Sequence, residues 1–257
     1  MEQTSSSPAI EFLDVSYFVS QTPILAQFKL QVSRGETLVL LGRSGSGKTT
    51  TLKLVNRLVA PTAGQVWVNG KSNAEVDVIE LRRKIGYVIQ EVGLFPHFSV
   101  ERNIALGPRI AGWPDARIRA RVEELLALVG LDPQLRSRYP HQLSGGQRQR
   151  VGVARALAAD PEILLMDEPF GALDPLTRDE VQREFLSLQK RLHKTVLFVT
   201  HDLREALRLA SRIALLEAGR LVTVLEPQEF MRSSDPWAAA YVRAFESGWD
   251  LAKGNRP

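Results

Sequence analysis

The sequence has no cysteine among its 257 residues. That excludes a disulfide framework, a thiolate metal site and a cysteine nucleophile. Long apolar stretches are also missing. The runs Leu38–Leu41, Ile163–Met166 and Val196–Val199 are short, whereas a membrane-spanning helix needs roughly 20 apolar residues. Met1–Pro8 holds no apolar signal-peptide stretch, so the expected location is cytoplasmic. Neither sign of charge dominates: 33 Lys and Arg stand against 29 Asp and Glu, a net charge of +4. An excess this mild permits contact with nucleotide, nucleic acid or an anionic membrane and singles out none. Internal repeats and low-complexity segments are absent. What remains is an ordinary globular mix, 44% hydrophobic and 24% charged, long enough for one core with an attached lobe.

The polar lead Met1–Ser7 is expected to fray. Alternating apolar residues at Ile10 and Phe12, and at Phe28, Leu30 and Val32, predict half-exposed strands of an antiparallel sheet. Thr37–Leu41, Ile163–Met166 and Thr195–Val199 are continuous apolar runs, the pattern of strands buried on both faces. Helical stripes lie between them. Val122, Leu125, Leu126 and Val129 form one, stopped by Gly130; Val181, Phe185, Leu188 and Leu192 form another. Asp202 with Glu205 reads as a capping box, and Pro161 as the end of the helix that follows Gly146. Ile213–Leu216 and Leu221–Leu225 read as a hairpin around Glu217-Ala218-Gly219. The fold class is therefore α/β: a core with a mixed or parallel sheet, to which the phosphate-loop motif at Gly42–Thr49 gives a P-loop character, an N-terminal antiparallel element and an inserted helical lobe. Residues 1–90 and 148–257 form the core of a single domain, and about 91–147 the lobe.

Gly42-Arg43-Ser44-Gly45-Ser46-Gly47-Lys48-Thr49 matches GxxxxGK[ST] and lies between a buried strand and a helical stretch, as a phosphate loop requires. Glycines let successive N–H groups turn inward onto phosphate oxygens, and the helix N-terminus adds positive potential. Lys48 reaches the β- and γ-phosphates; the Thr49 hydroxyl is suited to Mg²⁺, with Thr50 beside it. The bland reading, a glycine-rich turn, does not account for strand, loop and helix in that order. Ile163–Met166 ends in Asp167-Glu168, two acids at the carboxyl edge of a buried strand, where ligands bind in open α/β sheets. Asp167 suits the Mg²⁺ site, and Glu168 suits a base for attacking water. The alternative is two solvated surface acids.

Leu143-Ser144-Gly145-Gly146-Gln147 precedes a helix carrying Arg148, Gln149, Arg150 and Arg155. Adjacent glycines before a helix make a second anion site, about a hundred residues from the first. One nucleotide has no obvious need of both. Together with the two preceding motifs, this segment resembles the signature of the ATP-binding subunits of ABC transporters. Gln90 then resembles the Q-loop glutamine, Ala172-Leu173-Asp174 the D-loop, and His201 the switch histidine. Alone, a glutamine or a histidine at such positions reads as a surface or cap residue, and Leu-Asp-Pro as a turn. The resemblance runs from Ile10 to about Leu225.

The resemblance implies ATP and Mg²⁺ as cofactors. It also implies a head-to-tail dimer of two such subunits, identical or merely similar. ATP on Lys48 of one is completed by Ser144, Gly145, Gly146 and Gln147 of the other, with Asp174 nearby. Glu168, His201, Gln90 and Lys48 take the catalytic roles, and Thr49, Asp167 and Gln90 the Mg²⁺ roles. An aromatic residue usually stacks on adenine. Gapless alignment puts Val19 there, with Tyr17 on the same strand face and Phe18 adjacent, and Tyr17 is the candidate.

An integral membrane permease and, indirectly, an extracytoplasmic solute-binding protein are the implied partners, with this chain peripheral on the cytoplasmic face. Val92-Gly93-Leu94-Phe95-Pro96-His97-Phe98 is the implied docking stretch, some of its residues serving the lobe's own core instead. Gly42–Leu58 and Tyr87–His97 resemble importers of quaternary amines such as glycine betaine and choline. Arg102 departs from an acidic residue common in those proteins. No regulatory domain is expected after Leu225; Asp235-Pro236 opens one terminal helix that packs through Trp237, Tyr241 and Phe245. The rival readings are an importer of another small solute such as an amino acid, an exporter subunit, and a soluble ATPase acting on DNA or ribosomes. The last would need a long heptad insertion or a second cassette, so no nucleic-acid partner is expected. A nucleotide-gated scaffold would lack Glu168 or His201.

Overall fold

The computed structural model describes residues 7–90 and 92–253. The expected fraying of the N-terminal lead falls, except at Ser7, outside the described residues. Among the described residues, ten strands form two sheets. In chain order they are β1 Ile10–Val19, β2 Thr22–Val32, β3 Thr37–Gly42, β4 Ala63–Val68, β5 Lys71–Ser72, β6 Ile85–Val88, β7 Ile163–Asp167, β8 Thr195–Thr200, β9 Arg212–Glu217 and β10 Arg220–Leu225. A four-stranded antiparallel sheet has the order β2-β1-β4-β5, and a six-stranded sheet the order β10-β9-β3-β8-β7-β6. In the second, β9, β3, β8, β7 and β6 run parallel, and β10 closes the edge as an antiparallel hairpin partner of β9. Ala218 and Gly219 both adopt positive φ at that hairpin turn, as a tight right-twisted turn requires.

The continuous apolar runs have a simple cause. Val39 and Leu41 of β3 face one hydrophobic cluster, Leu38 and Leu40 the other. Leu164 and Met166 of β7, and Val196 and Phe198 of β8, join the first; Leu165, Leu197 and Val199 join the second. A strand covered on both faces cannot alternate with polar residues. Each such Leu or Val contributes about 1.5–3 kcal/mol by burial.

Helix α1 (Lys48–Val55) and the antiparallel sheet cover one face. The other carries α3 (Val100–Ile110), α4 (Asp115–Leu128), α5 (Gly145–Leu157), α6 (Pro175–Leu192) and α7 (Leu203–Leu209); α2 (Val78–Arg83) precedes β6. Among the described residues, 92–147 contain helices and no strand. The stripe of α4 ends where Gly130 takes φ 63, and that of α6 where His193 takes φ 48. No helix among the described residues is long and apolar enough to cross a membrane.

Three local expectations need correcting. α5 ends at Leu157, before Pro161; the chain leaves it through Asp160 at φ 55. Asp202 does cap α7, accepting from the Arg204 N–H at 2.8 Å, but Glu205 turns inward and completes no capping box. After the short α8 (Pro227–Phe230), helix α9 (Pro236–Lys253) starts at Asp235, whose side chain accepts from Trp237 and Ala238. Its inner stripe is Ala238, Tyr241, Val242 and Phe245, at helical spacing, while Trp237 is exposed.

Candidate active site

Parallel register brings three strand ends to one edge of the sheet. Leu41 of β3 is level with Thr200 of β8, and Asp167 of β7 with Val199. The phosphate loop after β3, the acids ending β7 and His201 after β8 therefore meet. A cleft of about 660 Å³ opens there, lined by Arg43, Ser44, Gly45, Gly47, Lys48, Thr49, Thr50, Gln90, Glu168, His201 and Ile24.

The loop is built by its glycines. Gly45 and Gly47 have φ 80 and 100, a region open to glycine at little cost. A Cβ on Gly47 would lie 2.7 Å from Leu25 Cδ2 and 2.9 Å from the Ile24 carbonyl, so β2 can approach only a glycine. Lys48 is buried and donates from Nζ to the carbonyls of Gly42 and Arg43 at 2.8 and 2.7 Å. Burial lowers its ammonium pKa, while Glu168, Asp167 and Glu217 oppose that shift. The Ser46 hydroxyl is buried without a protein partner. A glycine-built loop that lines the cleft around a buried ammonium is chemistry that matches a polyphosphate.

Thr49 Oγ1 donates to Asp167 Oδ1 at 3.0 Å. Burial raises the Asp167 carboxyl, Thr49 partly offsets this, and Glu168 adds to it. Tyr87 on β6 faces the same carboxyl; burial first, then the charge and hydrogen bond of Asp167, raise its phenol. One hydroxyl and one carboxylate are a donor set suited to Mg²⁺, which keeps its remaining positions for water and phosphate oxygens. Among the described residues no cluster of three or more acidic, His or Cys side chains forms a dedicated metal cage.

Glu168 has φ 42 and its N–H donates to the Val199 carbonyl at 3.0 Å. Its Oε2 lies 3.1 Å from His201 Nδ1 and accepts from Gln90 Nε2 at 3.5 Å. Two residues from separate connections thus converge on one Glu168 oxygen, in the cleft that Lys48 and Thr49 also line.

Other expected residues sit elsewhere. Ser144 caps α5 in a reciprocal box: its Oγ accepts from the Gln147 N–H at 3.2 Å, and Gln147 Oε1 accepts from the Ser144 N–H at 2.9 Å. Gly145 and Gly146 pack against Leu173 and Thr177. None of these four lines the cleft of its own chain. Asp174 is the N-cap of α6, accepting from Thr177 at 3.1 Å. Tyr17 packs against the core of the antiparallel sheet and does not line the cleft; Ile24 does.

Sequence pattern gives no role here to two further contributors. Arg155 of α5 donates to the carbonyls of Val92 and Gly93, both at 2.7 Å, clamping the segment after Gln90. Tyr87 reads in the sequence only as part of a strand. Its phenol ends among apolar neighbours beside Asp167, which periodicity alone does not reveal.

A glycine loop after one buried strand and a carboxylate at the end of another, two places along the same sheet, define a P-loop nucleotide-binding cassette. The family model described as ABC transporter matches residues 25–171. The chain belongs to the ABC transporter family. It is 54% identical over 204 residues to the choline transport ATP-binding protein OpuBA of Bacillus subtilis, covering 79% of this chain and 54% of that protein. It is 53% identical over 213 residues to the glycine betaine uptake system ATP-binding protein YehX of Escherichia coli, covering 83% and 69%. The chain spans about half the length of several curated relatives it matches. Among solved structures, CbiO1 from Clostridium perfringens, part of the CbiONQ ABC transporter complex, has a TM-score of 0.82 at 27% identity, covering 96% of this chain and 99% of that one. The dimeric post-hydrolysis state of the cassette MJ0796 bound to ADP and Pi has a TM-score of 0.76 at 32% identity, covering 85% and 98%.

Proposed function

We propose that this chain hydrolyses ATP to power an ABC importer for a quaternary amine or related osmoprotectant, such as choline or glycine betaine. The convergence of Gln90 and His201 on Glu168 Oε2, facing the phosphate loop, carries the catalytic half of this reading. Lys48 and the loop amides hold the phosphates. Thr49 and Asp167 hold Mg²⁺, which neutralises phosphate charge when bound. Glu168 takes a proton from attacking water, and His201 and Gln90 orient it.

The signature residues Ser144, Gly145, Gly146 and Gln147 do not line their own cleft, which favours use by a second cassette, identical or similar. Asp174 then acts by holding the start of α6. The segment Val92–Phe98 is the docking patch for a membrane permease: Leu94 packs inward, while Phe95 is 40% exposed. Asn103 holds that loop open, accepting from the Phe95 N–H and donating to the carbonyls of Phe95 and Phe98. The relatives' roles in choline transport and glycine betaine uptake support the cargo and the importing direction; an extracytoplasmic binding protein would deliver the solute to the permease. The chain would then lie on the cytoplasmic face, with residues 91–147 acting as its helical lobe.

Phosphate release by the purified chain with Mg²⁺-ATP tests the catalytic reading, which fails if Lys48→Ala hydrolyses as fast as the parent. Uptake of labelled choline and glycine betaine, by cells carrying this chain with its permease and binding protein, tests the cargo. Uptake of neither, with ATPase intact, would redirect the assignment to another solute.

A further inference from the structure

We propose that Glu205 is a positioning residue for His201, acting through Thr200; the inference rests on the catalytic reading of Glu168 and His201 above. The His201 imidazole is 62% exposed and its polar contact is with Glu168. Side-chain packing therefore does little to hold it, and its place depends on the backbone turn at 200–202.

That turn is tied from below. Thr200 is buried at the end of β8; its Oγ1 donates to Glu205 Oε2 at 2.6 Å and accepts from the Asp202 N–H at 3.0 Å. A hydroxyl has one proton, so giving it to Glu205 leaves a lone pair free for Asp202. The rotor is thereby set, and the peptide following His201 is fixed. Glu205 is itself buried and held at its other oxygen, where Gln182 Nε2 of α6 donates to Oε1 at 3.1 Å. The amide of Gln182 is oriented by Arg208, which donates to Gln182 Oε1 at 3.1 Å and to Asp179 Oδ1 at 2.6 Å. A buried carboxylate is costly unless each oxygen has a donor. Here the two donors come from α6 and from the residue preceding His201. Arg178 adds a second tie at the same place: it donates to the Leu173 carbonyl at 3.1 Å and lies 3.8 Å from Asp202. The switch turn and the start of α6 therefore move as one piece.

The variants are Glu205→Ala, Glu205→Gln, Thr200→Val and Thr200→Ser, in the full chain. Glu205→Ala and Thr200→Val should lower kcat by about 10- to 100-fold, the scale of a small misplacement, with KM for ATP within about twofold because the phosphate loop is untouched. Thr200→Ser keeps the hydroxyl and should restore the rate. Glu205→Gln keeps an acceptor for Thr200, loses that for Gln182, and should fall between. The His201 ring signal by proton NMR, assigned against His201→Ala among four histidines, should shift in Thr200→Val and return in Thr200→Ser. Unchanged kcat per folded chain, or an unmoved His201 signal, overturns the inference. If Glu205→Ala does not fold, the Thr200 pair decides. If the parent chain has no ATPase activity, the catalytic reading fails, and the NMR arm, read also in Glu205→Ala and Glu205→Gln, where the ring signal should shift, still judges whether Glu205 sets the ring.

Discussion

Gly146 of the signature segment lies directly against Thr177 of α6: a Cβ on Gly146 would stand 2.5 Å from Thr177 Cγ2. No Cβ tolerates that approach, so the glycine locks the start of α5 onto α6. We expect Gly146→Ala to destabilise the fold by about 1–3 kcal/mol through overpacking, against a helix-propensity gain of about 1 kcal/mol. Thr177→Ser removes the clashing methyl and keeps the hydroxyl. The double variant should recover most of the loss in denaturant unfolding, a coupling that independent sites would not show. A Gly146→Ala chain as stable as the parent would mean that the contact is not tight.

Glu168→Gln removes the carboxylate on which Gln90 and His201 converge while keeping its size. Turnover should fall by about 10²- to 10⁴-fold, the range for loss of a general base. ATP binding should survive, and a nucleotide-held dimer should appear by size exclusion with Mg²⁺-ATP. Hydrolysis at the parental rate would remove Glu168 from the mechanism.

Asp167 gives a prediction with opposite signs for stability and activity. Burial raises its carboxyl pKa above the ordinary value, so the native state holds the proton more readily than the unfolded chain. The stability linked to that proton is present below the ordinary carboxyl value of about 3.9 and is lost as pH rises through the raised native value. At pH 7 the ionised group therefore works against folding. Asp167→Asn should raise the melting temperature of the nucleotide-free chain at pH 7, with the gain shrinking on acidification, and should abolish Mg²⁺-dependent turnover. A lower melting temperature at pH 7 would contradict this account.

Phe95 is 40% exposed and packs in an aromatic group with His97, also exposed, and the partly buried Phe98. Phe95→Asp should leave ATP hydrolysis by the isolated chain within about twofold and abolish co-purification with the permease, since a charge in an apolar contact is costly. Undiminished co-purification and transport would place the docking surface elsewhere.

Much of the site is legible because it is written in contiguous residues. Gly42–Thr49 carries its own backbone requirement, and the apolar runs of β3, β7 and β8 announce burial on both faces. Ser144 with Gln147 spells out a helix cap. Local pattern misleads at Glu205, because Asp202 and Glu205 have the spacing of a capping box, and only the buried donors Thr200 and Gln182 turn that carboxylate inward. Strand parity near the loop points to Tyr17. Tyr17 is partly buried against the neighbouring hydrophobic cluster, and Ile24 of β2 lines the cleft.

By itself, the sequence determined the phosphate loop, the doubly buried strands, the signature cap and the family, since each depends on local backbone preference and on residue types a few positions apart. The tertiary structure alone decided that the ends of β3, β7 and β8 are level, that Gln90 and His201 share one oxygen of Glu168, and that the signature lies off its own cleft. Those relations depend on how segments from about 30 to about 160 residues apart are packed and set in register, which local pattern does not encode.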